Sequence, residues 1–288
     1  MARLFQQTLI IVSVLVLGCL GCKKEDVKTE NQTELVSLVS GLLFAEGPAY
    51  YNGNLFFSDI EASKIYKWSE TAGVSLFRQN SGRANGLYFN SKGNLYVCEG
   101  GNKRIVAIDA NQNVTVITDS YGDKPYNEPN DIWVSPTGNV YFTDPVFTGT
   151  LTQDGQNVYC VLASTGKVIK VISDLVKPNG IIGNSAGSML YVADFGASKI
   201  YQYSITSNGS LENKLLFADI QADGLTIDND GNVYTASKEV MKYSTKGVFL
   251  ESYPVTGTIT NLCFVNTTKK LFITTHTQLF IKELSSTF

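Results

Sequence analysis

Residues 85–99 read NGLYFNSKGNLYVCE: an apolar run over 87–89, a turn built on Lys92-Gly93-Asn94, and a second apolar run over 95–98. Two β-favouring runs around a glycine-bearing turn make a hairpin. Hairpin building does not explain Asn85, a polar amide just ahead of the first run. The same arrangement recurs as EGPAYYNGNLFFSD from Glu46, NDIWVSPTGNVYFTD from Asn130, NGIIGNSAGSMLYVAD from Asn179, DGLTIDNDGNVYTAS from Asp223 and NLCFVNTTKKLFITT from Asn261. The six first residues lie 39, 45, 49, 44 and 38 positions apart, so one module is repeated along the chain.

Modules one to five continue with a third and a fourth run, such as SKIYKWS and GVSLFRQ after the first, or KRIVAID and VTVITD after the second. Apolar and polar positions alternate within these runs, the period of half-buried strands. Four strands per repeat of about 40–50 residues is the pattern of a β-propeller blade, which predicts an all-β, six-bladed β-propeller over residues 35–288. The sixth module has only three strands, NLCFV, LFITT and LFIKEL, before Phe288. The spare strand is TELVSLVS at 33–40. The N-terminal strand is therefore expected to complete the last blade, closing the ring and removing an exposed sheet edge.

Ahead of this domain, Arg3 precedes an uncharged apolar stretch from Leu4 to Leu20, followed by Gly21-Cys22 and then Lys23-Lys24-Glu25-Asp26. This reads as a lipoprotein export signal over 1–21, cleaved before Cys22, whose thiol would carry lipid. Cys19 is the competing lipidation site, and a plain N-terminal membrane anchor the simpler alternative. Residues 22–34 are polar and charged, a flexible tether. The expected location is the cell envelope outside the cytoplasm, periplasmic or cell-surface, with the membrane met through the lipid anchor only, and the protein is expected to be a monomer.

Net charge is −3 with both signs interspersed, which argues against nucleic-acid binding. Cys98, Cys160 and Cys263 each fall inside an apolar run, and three cysteines cannot all pair, so they read as buried thiols. His276 is the one histidine of the chain and no CxxC pair occurs in the domain, which removes a zinc site and a serine–histidine mechanism. Trp68 and Trp133 read as packing between blades, with Tyr126 and Phe147 as candidate pocket walls.

The innermost strand of every blade lines the channel, so Glu46, Asn85, Asn130, Asn179, Asp223 and Asn261 should ring one mouth. Asn or Asp before Gly is a common turn pair, which makes any single case uninformative. Six at the equivalent point of six repeats, two carboxylates and four amides without a cation among them, suit a hard divalent ion: Ca²⁺ first, Mg²⁺ or Mn²⁺ as alternatives.

EGPAYYNGNLFFSDI, RANGLYFNSKGNLYVCEGGNKRI, NEPNDIWVSPTGNVYFTDP, PNGIIGNSAGSMLYVAD and DGLTIDNDGNVYTAS resemble, in order, the blade motifs of the gluconolactonase/senescence-marker-protein (regucalcin)/lactonase-like propellers, over about 40–280 and closest to the bacterial gluconolactonase branch. The resemblance implies a Ca²⁺-dependent hydrolase opening a lactone, such as a sugar-acid lactone. It implies metal ligands Glu46, Asn130, Asn179 and Asp223, with Asn130 also meeting substrate and Asn85 and Asn261 as substrate-side positions. Asp131, beside Asn130, is the candidate general base. Two departures touch specificity: Gly100 stands where the bacterial motif often has histidine, and Asn127-Glu128-Pro129 replaces an arginine of the animal proteins. The alternative is a non-catalytic surface binding propeller with a structural metal, and phosphotriester hydrolysis would use the same ring.

Overall fold

The computed structural model describes residues 34–284, and the proposed signal, Cys19, Cys22 and the tether up to residue 33 lie outside them. Six four-stranded antiparallel sheets follow one another around a ring. Their innermost strands are Ala45–Tyr51, Ala84–Phe89, Ile132–Val134, Pro178–Gly183, Leu225–Ile227 and Ile259–Val265. Blades 1 to 5 then run outward in sequence order, and no helix occurs among the described residues. A short ribbon pairing Ser120–Tyr121 with Lys124–Pro125, not foreseen from the repeat, sits in the connection between blades 2 and 3.

Closure follows the expected scheme. Leu35–Ser40 is the outer strand of blade 6, pairing antiparallel with Gln278–Glu283 from Leu35 opposite Lys282 to Ser40 opposite Gln278. The chain then passes directly into blade 1, with Ala45 N–H donating to the His276 carbonyl at 3.0 Å.

The period-2 alternation holds less well than the sequence implied. Pro178–Gly183, Val140–Asp144 and Asn157–Val161 are buried along their whole length, whereas the outer strands Gly73–Gln79 and Val114–Thr118 are mostly exposed. A blade near the axis is covered on both faces by its neighbours, so its inner strands need apolar groups on both sides, as in any doubly covered sheet. Fully buried Phe57, Tyr141, Tyr159 and Phe272 fill these layers, each contributing on the order of 1.5–3 kcal/mol by burial. Trp133 and Trp68 are core residues as expected. The Trp133 indole lies over Gly183 of the next blade so closely that a Cβ there would sit 2.3 Å from it.

Tyr126 is a correction: it is fully buried, packed edge-on against Phe142 and Tyr159 with its hydroxyl 2.7 Å from Thr118 Oγ1, and lines neither cavity at the channel mouths. Cys98 and Cys160 are buried thiols and Cys263 is half-buried, all unpaired. His276 is exposed, its ring 4.3 Å from that of Phe44.

Candidate active site

The inner strands carry a bulge where the ring residues sit. Pairing with the second strand slips at Glu46/Ala49, Ala84/Leu87, Pro178/Ile181 and Ile259/Asn261. In blade 3, Asn130 N–H donates to the Thr143 carbonyl and Thr143 N–H donates to that of Asp131; in blade 5, Asp223, Gly224 and Ala236 repeat the pattern. Two residues thus oppose one, which turns the strand end toward the axis.

Neighbouring axial strands then touch backbone to backbone. Gly86 N–H donates to the Asn130 carbonyl at 2.7 Å and Gly180 N–H to that of Asp223 at 2.8 Å. A Cβ on Gly180 would lie 2.3 Å from the Asp223 carbonyl oxygen. The Asn-Gly pairs at 85–86 and 179–180 are therefore not turns: neither residue has positive φ, and the glycine is there for close approach.

The acids that end the second strands aim these segments. Asp59 accepts the N–H groups of Leu43 and Phe44, Asp144 those of Asn127 and Glu128, and Asp194 those of Val176 and Lys177. Each carboxylate clamps the loop entering its own blade's inner strand. Ser58 and Thr143 each donate a hydroxyl to the carbonyl of the next blade's ring residue, Asn85 and Asn179, at 2.8 Å.

A cavity of about 480 Å³ opens at this mouth. Glu46, Asn85, Asn130, Asn179 and Asp223 line it together, as the sequence placed them. Asp131 and Asn261 do not line it; they border a second cavity of about 740 Å³ at the opposite end of the channel. The Asp131 carboxylate accepts N–H groups from Ile132 at 2.9 Å and Ile181 at 3.2 Å. Asn261 donates its amide to Glu46 Oε2 at 2.9 Å and accepts Leu262 N–H at 2.8 Å, so it holds a ring carboxylate instead of facing the narrow cavity.

The electrostatics are those of negative charge removed from water. Burial, then the nearby Asp223 and Asp131 carboxylates, push the Glu46 carboxyl well above its ordinary range. Burial raises Asp223 to about 7 against the lowering hydrogen bond from Asn179, and raises Asp131 to about 7 against its two backbone donors and Asn261.

The remaining wall comes from loops that carry no repeat signal: Phe44, Ile60, Glu61, Arg83, Gly100, Lys103, Glu128 and Phe147 among them. Phe147 is the one aromatic wall the sequence picked correctly. Arg83 forks onto Glu61 at 2.6 and 2.8 Å. Glu128 accepts from the backbone of Phe147, Thr148 and Gly149 and from the Thr148 hydroxyl. Burial alone would raise its pKa, but these donors outweigh it and leave the carboxylate below its usual range. The signal for these residues lay in the RANG, CEGGNKR and NEPND blocks, whose repeat-breaking charges were visible but unassigned.

The fit to a divalent cation rests on the donors present. Among the described residues no three His, Cys, Asp or Glu side chains form a metal-holding group. The ring offers two carboxylates and amide oxygens. Asn85 Oδ1 is buried without a hydrogen-bond partner, and Asn130 makes no side-chain hydrogen bond among the described residues. Uncompensated carboxylates beside unpartnered oxygens suit a hard cation.

Residues 44–277 match the model of the SMP-30/gluconolactonase/LRE-like region. The chain belongs to the SMP-30/gluconolactonase/LRE-like family. A gluconolactonase of Zymomonas mobilis is 29% identical over 247 residues, 74% of this chain and 69% of that protein. A gluconolactonase structure from Xanthomonas campestris is 25% identical with a TM-score of 0.80, covering 88% of this chain and 90% of that one. A calcium-binding regucalcin from Agrobacterium tumefaciens, 20% identical with a TM-score of 0.74, shares the architecture, covering 87% of this chain and 94% of that one.

Proposed function

We propose that this chain is a lactone hydrolase whose narrow cavity binds a divalent cation, Ca²⁺ in the first instance, through Glu46, Asn130, Asn179 and Asp223. The observation that carries the reading is the convergence of the buried Glu46 carboxylate, the half-buried Asp223 carboxylate and unpartnered amide oxygens on one cavity of a size for a small sugar-acid lactone. When bound, the cation supplies electrophilic polarisation of the ester carbonyl and stabilises negative charge developing on its oxygen.

The chain's own groups supply the rest. A water oxygen forms a bond to the carbonyl carbon, the ring C–O bond breaks, and the ring oxygen leaves as a hydroxyl after gaining a proton. The proton acceptor must face the cavity. Asp223 does; with a cation bound its carboxylate would be held deprotonated, and an oxygen turned to the cavity could accept the water proton. Asp131, the acceptor expected from the sequence, borders the other cavity, so we assign it to positioning: its charge lies behind the ring, and its carboxylate fixes Ile132 and Ile181. Asn179 orients Asp223, Asn261 orients Glu46, and Asn85 offers its free oxygen to a substrate hydroxyl. Phe44, Ile60 and Phe147 provide an apolar rim that limits water around the ester.

The test is a panel of aldonolactones assayed after chelation and after adding back Ca²⁺, Mg²⁺ or Mn²⁺. Opening of at least one lactone, lost on chelation and restored by a divalent ion, is expected. Tight Ca²⁺ binding with no lactone or ester opened would make the protein a binding propeller. We further propose export and lipid anchoring through Cys22; lipid labelling that survives Cys22→Ser would reject that site.

A further inference from the structure

Among the described residues, the cavity wall contains one cation without a partner at close range. Arg83 is engaged by Glu61, and Glu128 is satisfied by the 147–149 backbone. Lys103 also lines the cavity but forms no side-chain hydrogen bond or ion pair among the described residues. The carboxylate that feels its charge, Asp144, is buried and already accepts Asn127 and Glu128 N–H groups.

The position of Lys103 is fixed by the fold. It occupies the left-handed residue of a turn joining the second and third strands of blade 2, with φ 56° and its N–H donating to the Gly100 carbonyl. Blades 1 and 4 make the same turn, and there the left-handed residues are Ser63 at φ 50° and Ser198 at φ 54°. Where two blades place a small hydroxyl, blade 2 places a long cation, over the cavity. The turn is rigidly held: buried Glu99, just before it, takes Asn102 Nδ2 at 2.7 Å and pairs with Arg78 at 2.7 Å and Arg104 at 2.6 Å. Gly101 N–H donates to the Gly82 carbonyl, docking the turn on the Arg83 segment.

We propose that Lys103 is a specificity-determining residue that receives an anionic substituent, so that the preferred substrates are lactones carrying a second acidic group, a carboxylate or a phosphate, away from the ester. The inference rests on the lactonase reading and names its substrate class. A charge-assisted contact from an ammonium to either anion is stronger than a neutral one. The lysine acts as a compact point charge, which suits both carboxylate and phosphate.

The experiment compares matched pairs: glucono-1,5-lactone against its 6-phosphate, and glucono-1,4-lactone against glucaro-1,4-lactone. Wild-type protein should favour one or both anionic members by about tenfold or more in kcat/KM, and the pair that shows it identifies the anion. Lys103→Met should erase that preference through KM, leaving kcat and the neutral lactones within about twofold, while Lys103→Arg retains most of it. A wild-type preference for the neutral members, or equal losses on neutral and anionic lactones in Lys103→Met, would overturn the proposal. Calorimetry with the open-chain products 6-phosphogluconate, glucarate and gluconate separates this from the lactonase reading. If no lactone is opened, yet a dianionic product binds more tightly than gluconate and Lys103→Met abolishes the difference, the anion subsite stands without the hydrolase; no such difference sinks the subsite.

Discussion

The two mouths of the channel are built from the same residue types and do opposite things with them. At the wide mouth, Asn90 Oδ1 accepts the N–H groups of Lys92 and Asn94, Asn184 Oδ1 those of Ser188 and Met189, and Asp228 Oδ1 those of Asp230 and Asn232. Each side-chain oxygen closes its own turn. At the narrow mouth, Asn85 and Asn130 have no such local donor among the described residues, and the buried Glu46 and half-buried Asp223 carboxylates form no ion pair among them. What makes an Asn or Asp functional here is not its identity but whether its own backbone neighbourhood has already used it.

The largest test of that contrast is catalytic. Asp223→Asn or Glu46→Gln should lower lactone turnover by about 10²–10⁴-fold, the range lost with a positioned acid–base group or a charged part of its site, while Asp228→Asn at the wide mouth should leave turnover within about twofold. Asp131→Asn discriminates further: as a positioning residue it should cost less than Asp223→Asn, and a loss as large as that of Asp223→Asn would return the base role to Asp131. Steady-state kinetics on one lactone suffices for all four.

The second test concerns how closely the axial strands approach. Gly180→Ala puts a Cβ against a neighbouring backbone carbonyl that cannot move independently. Overpacking of this kind costs about 1–3 kcal/mol or more, and at about 2–4 °C per kcal/mol in a domain of this size the melting temperature should fall by roughly 2–12 °C. Adding a Cβ at Gly53, a turn glycine with φ 81° and open space around it, should strain only the turn and spare activity. Equal activity losses in the two variants would erase the distinction.

The architecture was legible because six spaced copies of one pattern overdetermine it, and the missing fourth strand of blade 6 told where Leu35–Ser40 must go. Five of the six ring positions were legible for the same reason; Asn261 instead turns its amide onto Glu46 and borders the other cavity. Asp131 was not: it follows Asn130 inside a bulge, where two consecutive residues oppose one partner and strand alternation no longer says which cavity a side chain meets. Lys103, Arg83 and Glu128 escaped because they come from turns between elements, where no period applies. Tyr126 looked like a pocket wall by its nearness to Asn130, but the Asp144 clamp on Asn127 and Glu128 turns that segment so that Tyr126 packs inward.

A third test uses pH. Burial keeps protons on Asp131 and Asp223 up to about 7, and on Glu46 well above its ordinary range, whereas an unfolded chain releases them near 4. Between about pH 4 and 7 the folded state therefore holds more protons than the unfolded one, and stability falls as pH rises. Chelated protein should melt lower at pH 7.5 than at pH 5, and Glu46→Gln with Asp223→Asn should flatten the slope. A slope unchanged in that double variant would mean the ring carboxylates are not the groups responsible.

The smallest effect is expected at the satisfied mouth. Asn184→Ala removes an acceptor for two turn N–H groups, a loss of about 0.5–1.5 kcal/mol, seen as a few degrees in a thermal melt with kcat/KM unchanged. A substantial activity loss there would show that the wide mouth also takes part in turnover.

The closing strand sets a schedule for synthesis. Ser37 and Gln278, which meet across the seam of blade 6, are 241 positions apart. At about 5–20 residues per second on the ribosome, the first strand waits roughly 10–50 s for its partner to be made. Through that interval Leu35–Ser40 is an unpaired β-edge, and so is the growing side of the last blade. The join that abolishes edges in the finished ring is thus the last to form, and the nascent chain passes through its most adhesive state just before it is complete.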